Sequence, residues 1–310
     1  MMCAPGVRCA AKRPRGARER RSRVATAVID GITTRYEVRG SGTPLLLFSP
    51  GGFDATLDKW TTLPAYARLG LLERLTRSHQ CIVFDRRETG ESGGRVERIA
   101  WTHYAGQGHG LLSHLGIAHA HVMGGCMGCS AAIAFGVAFP DAAISLVLWW
   151  PVGGAKYRMN TALRFAEHAA YVTQNGLEAV ATLARSSDKS FGQDPRLGPW
   201  ASPLRRDPSF AASYVRQDID RYTQIVLGMA RTLVDRDTAP GAEPEDLLRL
   251  TMPALVVPGR DATHATSAAR YLEECLPHAQ YWDVPVDQQT AESAPARVLE
   301  FLGSVEASRA

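Results

Sequence analysis

The chain lacks long apolar segments. No stretch reaches the roughly 18 apolar residues that span a bilayer, and the first two dozen residues lack the apolar core of a secretory signal. These absences predict a cytoplasmic protein with no membrane partner. Apolar residues make up 45% of the 310 positions and charged residues 21%, close to the averages for globular proteins. The length therefore predicts one catalytic domain with room for an inserted segment.

An excess of positive charge is absent from most of the chain. Residues 1–23 contain eight basic side chains against Glu19 alone, a net charge of +7, which leaves −3 for residues 24–310 out of the overall +4. A slightly acidic body does not favour nucleic-acid binding. We interpret residues 1–23 as a basic disordered tail; a membrane or nucleic-acid arm and an arginine-rich transit peptide are the alternatives.

Disulfide and metal patterns are also missing. Six cysteines are scattered through a long chain without a secretory signal, which predicts reduced thiols rather than a disulfide framework. The histidines show no paired spacing typical of a zinc site, so we expect no metal and no cofactor. The cysteines stand at positions Cys3, Cys9, Cys81, Cys126, Cys129 and Cys275.

Alternating and continuous apolar segments predict a doubly wound α/β fold with a mostly parallel sheet. No strand is predicted between the sixth and seventh strands, so residues 155–245 are interpreted as a helical lid; residues 24–154 and 246–310 form the core. The predicted strands are 24–29, 33–38, 45–48, 81–85, 119–123, 143–150, 254–257 and 280–284, and the main predicted helices are 64–78, 98–115, 266–275 and 294–305.

One cysteine stands where an apolar strand meets an alanine-rich helix, in Gly124-Gly125-Cys126-Met127-Gly128. This segment resembles the nucleophile elbow, G-x-Nu-x-G, of the α/β-hydrolase family, with cysteine as the nucleophile. The resemblance covers about residues 25–305 through element order, and a thiol in this place is similar to the dienelactone hydrolases. The alternatives are a merely buried Cys126 and a redox motif formed with Cys129.

Two further segments carry the resemblance. After the third strand, Gly51 and Gly52 stand where the family has the loop that donates one backbone N–H to the oxyanion. The resemblance implies Gly52 as donor, with Gly51 second and lining the substrate site, and Met127 as the other donor. The segment Asp85 to Ser92 resembles the family's D-x-R-G-x-G-x-S loop, with Glu88 in place of its first glycine.

The usual histidine of this family is missing. The segment after the last predicted strand contains none, and Gln288 or Gln289 takes its place; neither can act as a general base. The resemblance gives Asp261 the role of the acid, with a turn or helix-capping role as the alternative. His264 is the nearest replacement base; otherwise Cys126 acts as a lone thiolate at a helix N-terminus.

Trp149 and Trp150 end the sixth strand, where strand ends face the site, and we expect them to line an apolar substrate pocket. The motifs together imply a hydrolase that acts on a small lipophilic ester, lactone or thioester through a thioester on Cys126. An acyltransferase, a lyase or cyclase, and a non-catalytic protein that binds a hydrophobic ligand remain alternatives.

Overall fold

The computed structural model describes residues 23–309. Of the tail predicted at residues 1–23, residues 1–22 lie outside the described part of the chain, and Arg23 begins the first strand. Eight strands form one sheet in the order β1-β2-β4-β3-β5-β6-β7-β8. The pairs β1–β2 and β2–β4 are antiparallel, and all other neighbours are parallel. The strands are β1 Arg23–Ile29, β2 Ile32–Arg39, β3 Thr43–Phe48, β4 His79–Phe84, β5 Ala120–Gly125, β6 Ala143–Trp149, β7 Ala254–Val257 and β8 Ala279–Tyr281. The predicted mostly parallel, doubly wound sheet is confirmed.

Helices connect the parallel strands on both faces of the sheet. In chain order they are α1 Lys59–Thr62, α2 Pro64–Ala67, α3 Leu71–Leu75, α4 Trp101–His114, α5 Gly128–Ala138, α6 Ala155–Ser186, α7 Ala201–Arg206, α8 Pro208–Tyr214, α9 Ile219–Leu233, α10 Pro244–Leu247, α11 Thr266–Cys275 and α12 Ser293–Arg309. Three short 3₁₀ helices lie at Pro140–Ala142, Pro195–Leu197 and Val286–Gln288.

Alternation along the buried strands divides the core into two layers. In β3, Leu46 and Phe48 face the layer covered by α4 and α5, whereas Leu45 and Leu47 face the layer covered by α3 and α12. Successive strand residues point to opposite faces, so a strand covered on both sides is apolar throughout. The sheet therefore holds the carboxyl ends of β3, β5, β6 and β7 firmly along one edge.

Several predicted boundaries differ from the structure. The helix predicted over 64–78 is two short helices, because the chain adopts a left-handed conformation at Gly70, φ 57°. The last strand ends at Tyr281 rather than at 284, since its partner β7 is only four residues long. The five helices α6 to α10 all lie between β6 and β7, and α6 is interrupted at Gly176, φ 78°.

Candidate active site

Cys126 occupies a sharp turn between β5 and α5. Its φ of +54° is in the left-handed region, a conformation that costs a residue with a side chain about 1–3 kcal/mol. Glycines on both sides allow the turn to close. A Cβ on Gly124 would lie 2.3 Å from the Gly128 carbonyl oxygen, and one on Gly128 would lie 2.2 Å from the Phe48 carbonyl oxygen. The turn leaves the Cys126 side chain partly exposed.

The loop after β7 brings a carboxylate and an imidazole together. Asp261 Oδ1 accepts hydrogen bonds from the backbone N–H groups of Thr263 and His264, at 2.7 and 2.9 Å. The His264 Nδ1 atom lies 2.8 Å from Asp261 Oδ2. Since the backbone fixes the carboxylate and the carboxylate binds Nδ1, the imidazole presents Nε2 on its other side. A hydrogen bond of 3.0 Å from Gly153 N–H to the Thr263 carbonyl ties this loop to the segment after β6.

His264 and Cys126 alter each other's pKa in opposite directions. Burial alone would raise the Cys126 pKa, but the imidazole of His264 and the N–H groups of Met127 and Gly51 bring it below its ordinary value of 9.0. Burial alone would lower the His264 pKa, but the Cys126 sulfur and then Asp261 raise it to about 9. The Nε2 atom of His264 forms no hydrogen bond of good geometry with any described residue. The Cys126 sulfur is nevertheless close enough to the imidazole to raise the His264 pKa. The arrangement favours a thiolate beside an imidazolium.

Two backbone N–H groups face the Cys126 sulfur. Met127 stands at the N-terminus of α5, and Gly51 follows β3 with φ +118°. Both N–H groups lower the Cys126 pKa. Donors placed beside the sulfur can also hold the oxygen of a tetrahedral adduct formed on that sulfur. Of the two loop glycines, Gly51 is therefore the one seen directed at the thiol, and Gly52 as the donor stays a prediction.

A cavity of about 260 Å³ opens above the thiol. Its wall combines the elbow, the loop after β3 and one face of α6. The lining residues are Gly51, Gly52, Phe53, Cys126, Met127, Val152, Tyr157, Asn160, Thr161, Arg164, Gly192 and Thr263. Drug-sized ligands occupy sites of about 300–1,000 Å³, so a cavity just below this range suits a small molecule.

Known proteins are similar to this chain mainly in fold and less in sequence. No protein-family model matches it. A dihydrolipoyllysine-residue acetyltransferase component of an acetoin cleaving system from Cupriavidus necator is 32% identical over 127 residues, 41% of this chain and 32% of that protein. The chain thus matches about a third of the length of that curated relative.

Solved structures cover nearly the whole chain. A thermophilic esterase from Thermogutta terrifontis matches with a TM-score of 0.58 and 20% identity, over 91% of this chain and 99% of the esterase. An enol-lactonase from Burkholderia xenovorans matches with a TM-score of 0.57 and 18% identity, over 90% and 100% of the two chains. The chain has the α/β-hydrolase fold.

In this α/β-hydrolase fold, Gln289 fills the place expected for the missing histidine. The side chain is fully buried, and its Oε1 accepts a hydrogen bond of 2.7 Å from Trp150 Nε1. Its Nε2 donates to the carbonyl oxygens of Val284 and Pro258 at 2.9 and 3.3 Å. The amide is committed to these partners, so Gln289 joins the loops after β6, β7 and β8. Gln288 ends a 3₁₀ helix and is exposed.

The two tryptophans at the end of β6, Trp149 in the strand and Trp150 just after it, are not among the residues that line the cavity, contrary to the expectation from sequence. Trp149 is fully buried and packs against Trp150 and Trp282, with ring centroids 6.3 and 5.9 Å away. Its place in the strand directs it to the layer beneath α12, the opposite layer from Leu148. Trp150 has a left-handed backbone, φ +55°, and is held by Gln289. Both side chains pack behind the loops at this end of the sheet.

None of the four α6 residues in the cavity wall, Tyr157, Asn160, Thr161 and Arg164, is among the site residues predicted from sequence. These four residues of α6 have the spacing i, i+3, i+4 and i+7, which places them on one helix face. A polar stripe at this spacing was the signal available. It predicts a shared face, but it does not predict which face of α6 turns toward Cys126.

The second thiol of the Cys-x-x-Cys segment is directed away from the cavity. Cys129 Sγ lies 3.1 Å from the Gly124 carbonyl oxygen and 3.3 Å from that of Trp149. Burial raises its pKa well above the ordinary value. Both Cys126 and Cys129 are free thiols. A buried neutral thiol bound to backbone carbonyls is suited to packing, not to nucleophilic attack.

Within residues 23–309, no group of three or more His, Cys, Asp or Glu side chains is placed to hold a metal ion. None of the helices in that range is both long and apolar enough to cross a membrane.

Proposed function

We propose that this protein is a hydrolase that acts on a small ester, lactone or thioester through a thioester intermediate on Cys126. The observation that carries the proposal is the pairing of a partly exposed elbow thiol, with a lowered pKa, and an imidazole whose pKa is raised to about 9. A thiolate is the nucleophilic form of cysteine, and an adjacent imidazolium can supply a proton to a leaving group. The esterase and enol-lactonase with the same fold are consistent with this chemistry.

In the first half-reaction the Cys126 thiolate attacks the carbonyl carbon, and a C–S bond forms. The carbonyl π electrons move to oxygen, and the N–H groups of Met127 and Gly51 donate hydrogen bonds to the resulting oxyanion. When the adduct collapses, the bond to the leaving group breaks. The leaving alkoxide or thiolate takes the proton from Nε2 of the His264 imidazolium. A thioester and a neutral imidazole remain.

In the second half-reaction a water molecule attacks the thioester carbonyl while Nε2 of neutral His264 accepts its proton. The second tetrahedral adduct expels the Cys126 thiolate and releases the carboxylic acid. This step restores the starting ion pair. Asp261 stabilises the imidazolium and fixes the orientation of its ring through Nδ1, as the carboxylate of a catalytic triad does.

The cavity favours small acyl groups. About 260 Å³ holds an acyl chain of a few carbons and part of a leaving group, and Phe53 and Val152 contribute apolar surface. Transfer of the acyl group to another acceptor would use the same first half-reaction. Hydrolysis is proposed because the Asp261–His264 pair provides a base for the activation of water.

The test is rapid acid quench followed by intact mass spectrometry, after mixing with a panel of short-chain esters, lactones and thioesters. We expect a mass increase equal to the acyl group, located on Cys126 by peptide mapping and removed by neutral hydroxylamine as a thioester is. Cys275→Ala is the matched control, since Cys275 is partly exposed and lies in α11 away from the cavity. Turnover that persists in Cys126→Ala, or an adduct on another residue, would overturn the proposal.

A further inference from the structure

Arg164 is a cation in the cavity wall. It lies on the same face of α6 as Tyr157 and is partly buried. Among the described residues it has neither a hydrogen bond nor an ion pair, although Glu167 is near enough on the same helix to influence its charge. A guanidinium has five N–H donors in a fixed planar fork, which matches the two oxygens of a carboxylate. Its donors are free to bind a molecule in the cavity.

Tyr157 provides an independent observation at the same place. Its side chain is only 7% exposed, yet its hydroxyl has no hydrogen-bond partner among the described residues. Leaving a buried hydroxyl unpaired costs about 1–3 kcal/mol. Tyr157 contributes to the cavity wall, and Cys126, Arg86 and Arg164 are all close enough to its hydroxyl to affect its pKa, which burial raises. A ligand oxygen beside Arg164 would give this O–H the acceptor that it lacks.

The surrounding charge is positive. Arg86 is buried beneath the loop after β3, where its Nη2 donates a hydrogen bond of 2.6 Å to the Gly52 carbonyl. Its guanidinium lies 4.4 Å from the Tyr104 ring centroid, and its Nε and Nη1 atoms are buried without hydrogen-bond partners among the described residues. No aspartate or glutamate is among the described residues that line the cavity. The carboxylate of Asp261, in the loop after β7, is bound to His264.

We infer that Arg164 and Tyr157 form a subsite for a carboxylate carried by the acyl part of the substrate. Arg164 donates two N–H groups to its oxygens, Tyr157 donates its O–H, and Arg86 adds positive charge from behind. The substrate class is then a half-ester, a half-thioester or a carboxylated lactone derived from a small dicarboxylic acid, rather than a wholly lipophilic compound. This inference rests on the proposed function, because it takes the acyl group to be transferred to Cys126.

The test compares two thioesters of the same shape and different charge. One is the S-ethyl half-thioester of glutaric acid, and the other is the S-ethyl thioester of 5-methylhexanoic acid, in which an isopropyl group replaces the carboxylate. The acid product is measured by chromatography. We expect kcat/KM to favour the carboxylated substrate by roughly 10- to 100-fold, the range for hydrogen bonds to a charged group. Arg164→Gln should reduce this ratio to near one, Arg164→Lys should retain part of it, and Tyr157→Phe should lower it severalfold.

Arg185→Gln is the matched control, because Arg185 is an exposed arginine in the last turn of the same helix and lies outside the cavity wall. It should keep the wild-type ratio. A ratio near one in the wild-type enzyme, or a ratio unchanged by Arg164→Gln, overturns the subsite. Circular dichroism of each variant verifies that the fold is intact.

Binding without turnover separates the two proposals. Glutarate should bind to Cys126→Ala in isothermal titration calorimetry, and the affinity should fall at least about tenfold when Arg164→Gln is added. If neither thioester acylates Cys126 but glutarate binds in an Arg164-dependent manner, the proposed hydrolase fails and the anion subsite stands. If both thioesters acylate Cys126 equally and glutarate does not bind, the subsite fails and the hydrolase stands.

Discussion

Two clusters of histidine and carboxylate lie near opposite ends of β5. At the carboxyl end, His264 lies beside Asp261 and Cys126; at the amino end, His79 and His121 each have Nε2 3.4 Å from Glu306. His264 is half-buried, with 15% side-chain exposure, and His121 is fully buried. The pKa of His264 is raised to about 9, whereas that of His121 is lowered to about 4, by burial first and also by the charge of His79.

The difference shows that a neighbouring carboxylate does not by itself determine whether the pKa of a histidine is raised or lowered. His264 has two anionic neighbours, the Cys126 thiolate and Asp261, and together they outweigh the cost of burying its charge. His121 shares the single carboxylate of Glu306 with a second histidine, and its Nδ1 lies 2.7 Å from the neutral Ser145 hydroxyl. One cluster therefore holds a charged imidazole ready to exchange a proton, and the other holds neutral imidazoles that pack.

Removal of the thiol should have the largest effect on this comparison. In Cys126→Ala we expect turnover to fall by at least about 10³-fold, because no other described thiol borders the cavity. The pKa of His264, followed by NMR, should fall below about 9 since its largest favourable partner is gone, while that of His121 should not change. A His264 pKa unmoved by the substitution would show that the thiol does not stabilise the imidazolium.

His264→Gln should have the next largest effect, a rate loss on the order of 10² to 10⁴, the range for general acid-base catalysis. The Cys126 pKa should rise, because its main favourable partner is lost, so the acidic limb of the pH–rate profile should move to higher pH. The limb near pH 9, where the imidazolium loses its proton, should disappear. Asp261→Asn should move the basic limb to lower pH, because Asp261 raises the His264 pKa, and should cause a smaller loss of rate.

The matched variant for His264→Gln is His121→Asn, which should keep kcat/KM within about threefold and leave both limbs in place, since that cluster does not contact the cavity. Near-wild-type activity in the double variant His264→Gln, Asp261→Asn would instead leave Cys126 as a lone thiolate stabilised by the start of α5.

The four described cysteines should differ in their rates of alkylation by iodoacetamide. Cys126 is partly exposed with a lowered pKa, whereas burial raises the pKa of Cys81 to about 12 and also raises those of Cys129 and Cys275. Because the thiolate is the reactive form, we expect Cys126 to react at least about tenfold faster at pH 7. Time-resolved peptide mapping measures the order, and His264→Gln should reduce the advantage. Faster labelling of Cys81 or Cys275 would contradict the activated elbow.

The sequence predicted the fold well because its signals are local. The sharp turn at Cys126 is predicted by an apolar strand that is followed by Gly-Gly-Cys-Met-Gly and an alanine-rich helix. The contact between Asp261 and His264 is predicted by their three-residue spacing in one loop. The cavity wall depends on long-range packing. Trp149 was assigned to the pocket since strand ends meet there, yet strand alternation directs it into the opposite layer. The place of Arg164 in the cavity wall depends on which face of α6 lies toward Cys126, and long-range packing determines that face.

The smallest predicted effect concerns the amino-end cluster and appears in stability rather than in rate. With a pKa of about 4 in the folded state and about 6.5 when unfolded, His121 binds more protons in the unfolded chain between those values, so stability falls as pH decreases through this window. From pH 6.5 to 5 the free energy of unfolding that this group contributes falls by about 1–2 kcal/mol.

Urea unfolding measures this effect. The free energy of unfolding of His121→Asn should depend less steeply on pH than that of the wild type, and His79→Gln, which removes the neighbouring charge, should act in the same direction. Equal slopes in all three proteins would mean that the cluster does not titrate with unfolding. Activity should remain near the wild-type level in both variants, because only the histidine beside the thiol takes part in the proposed chemistry.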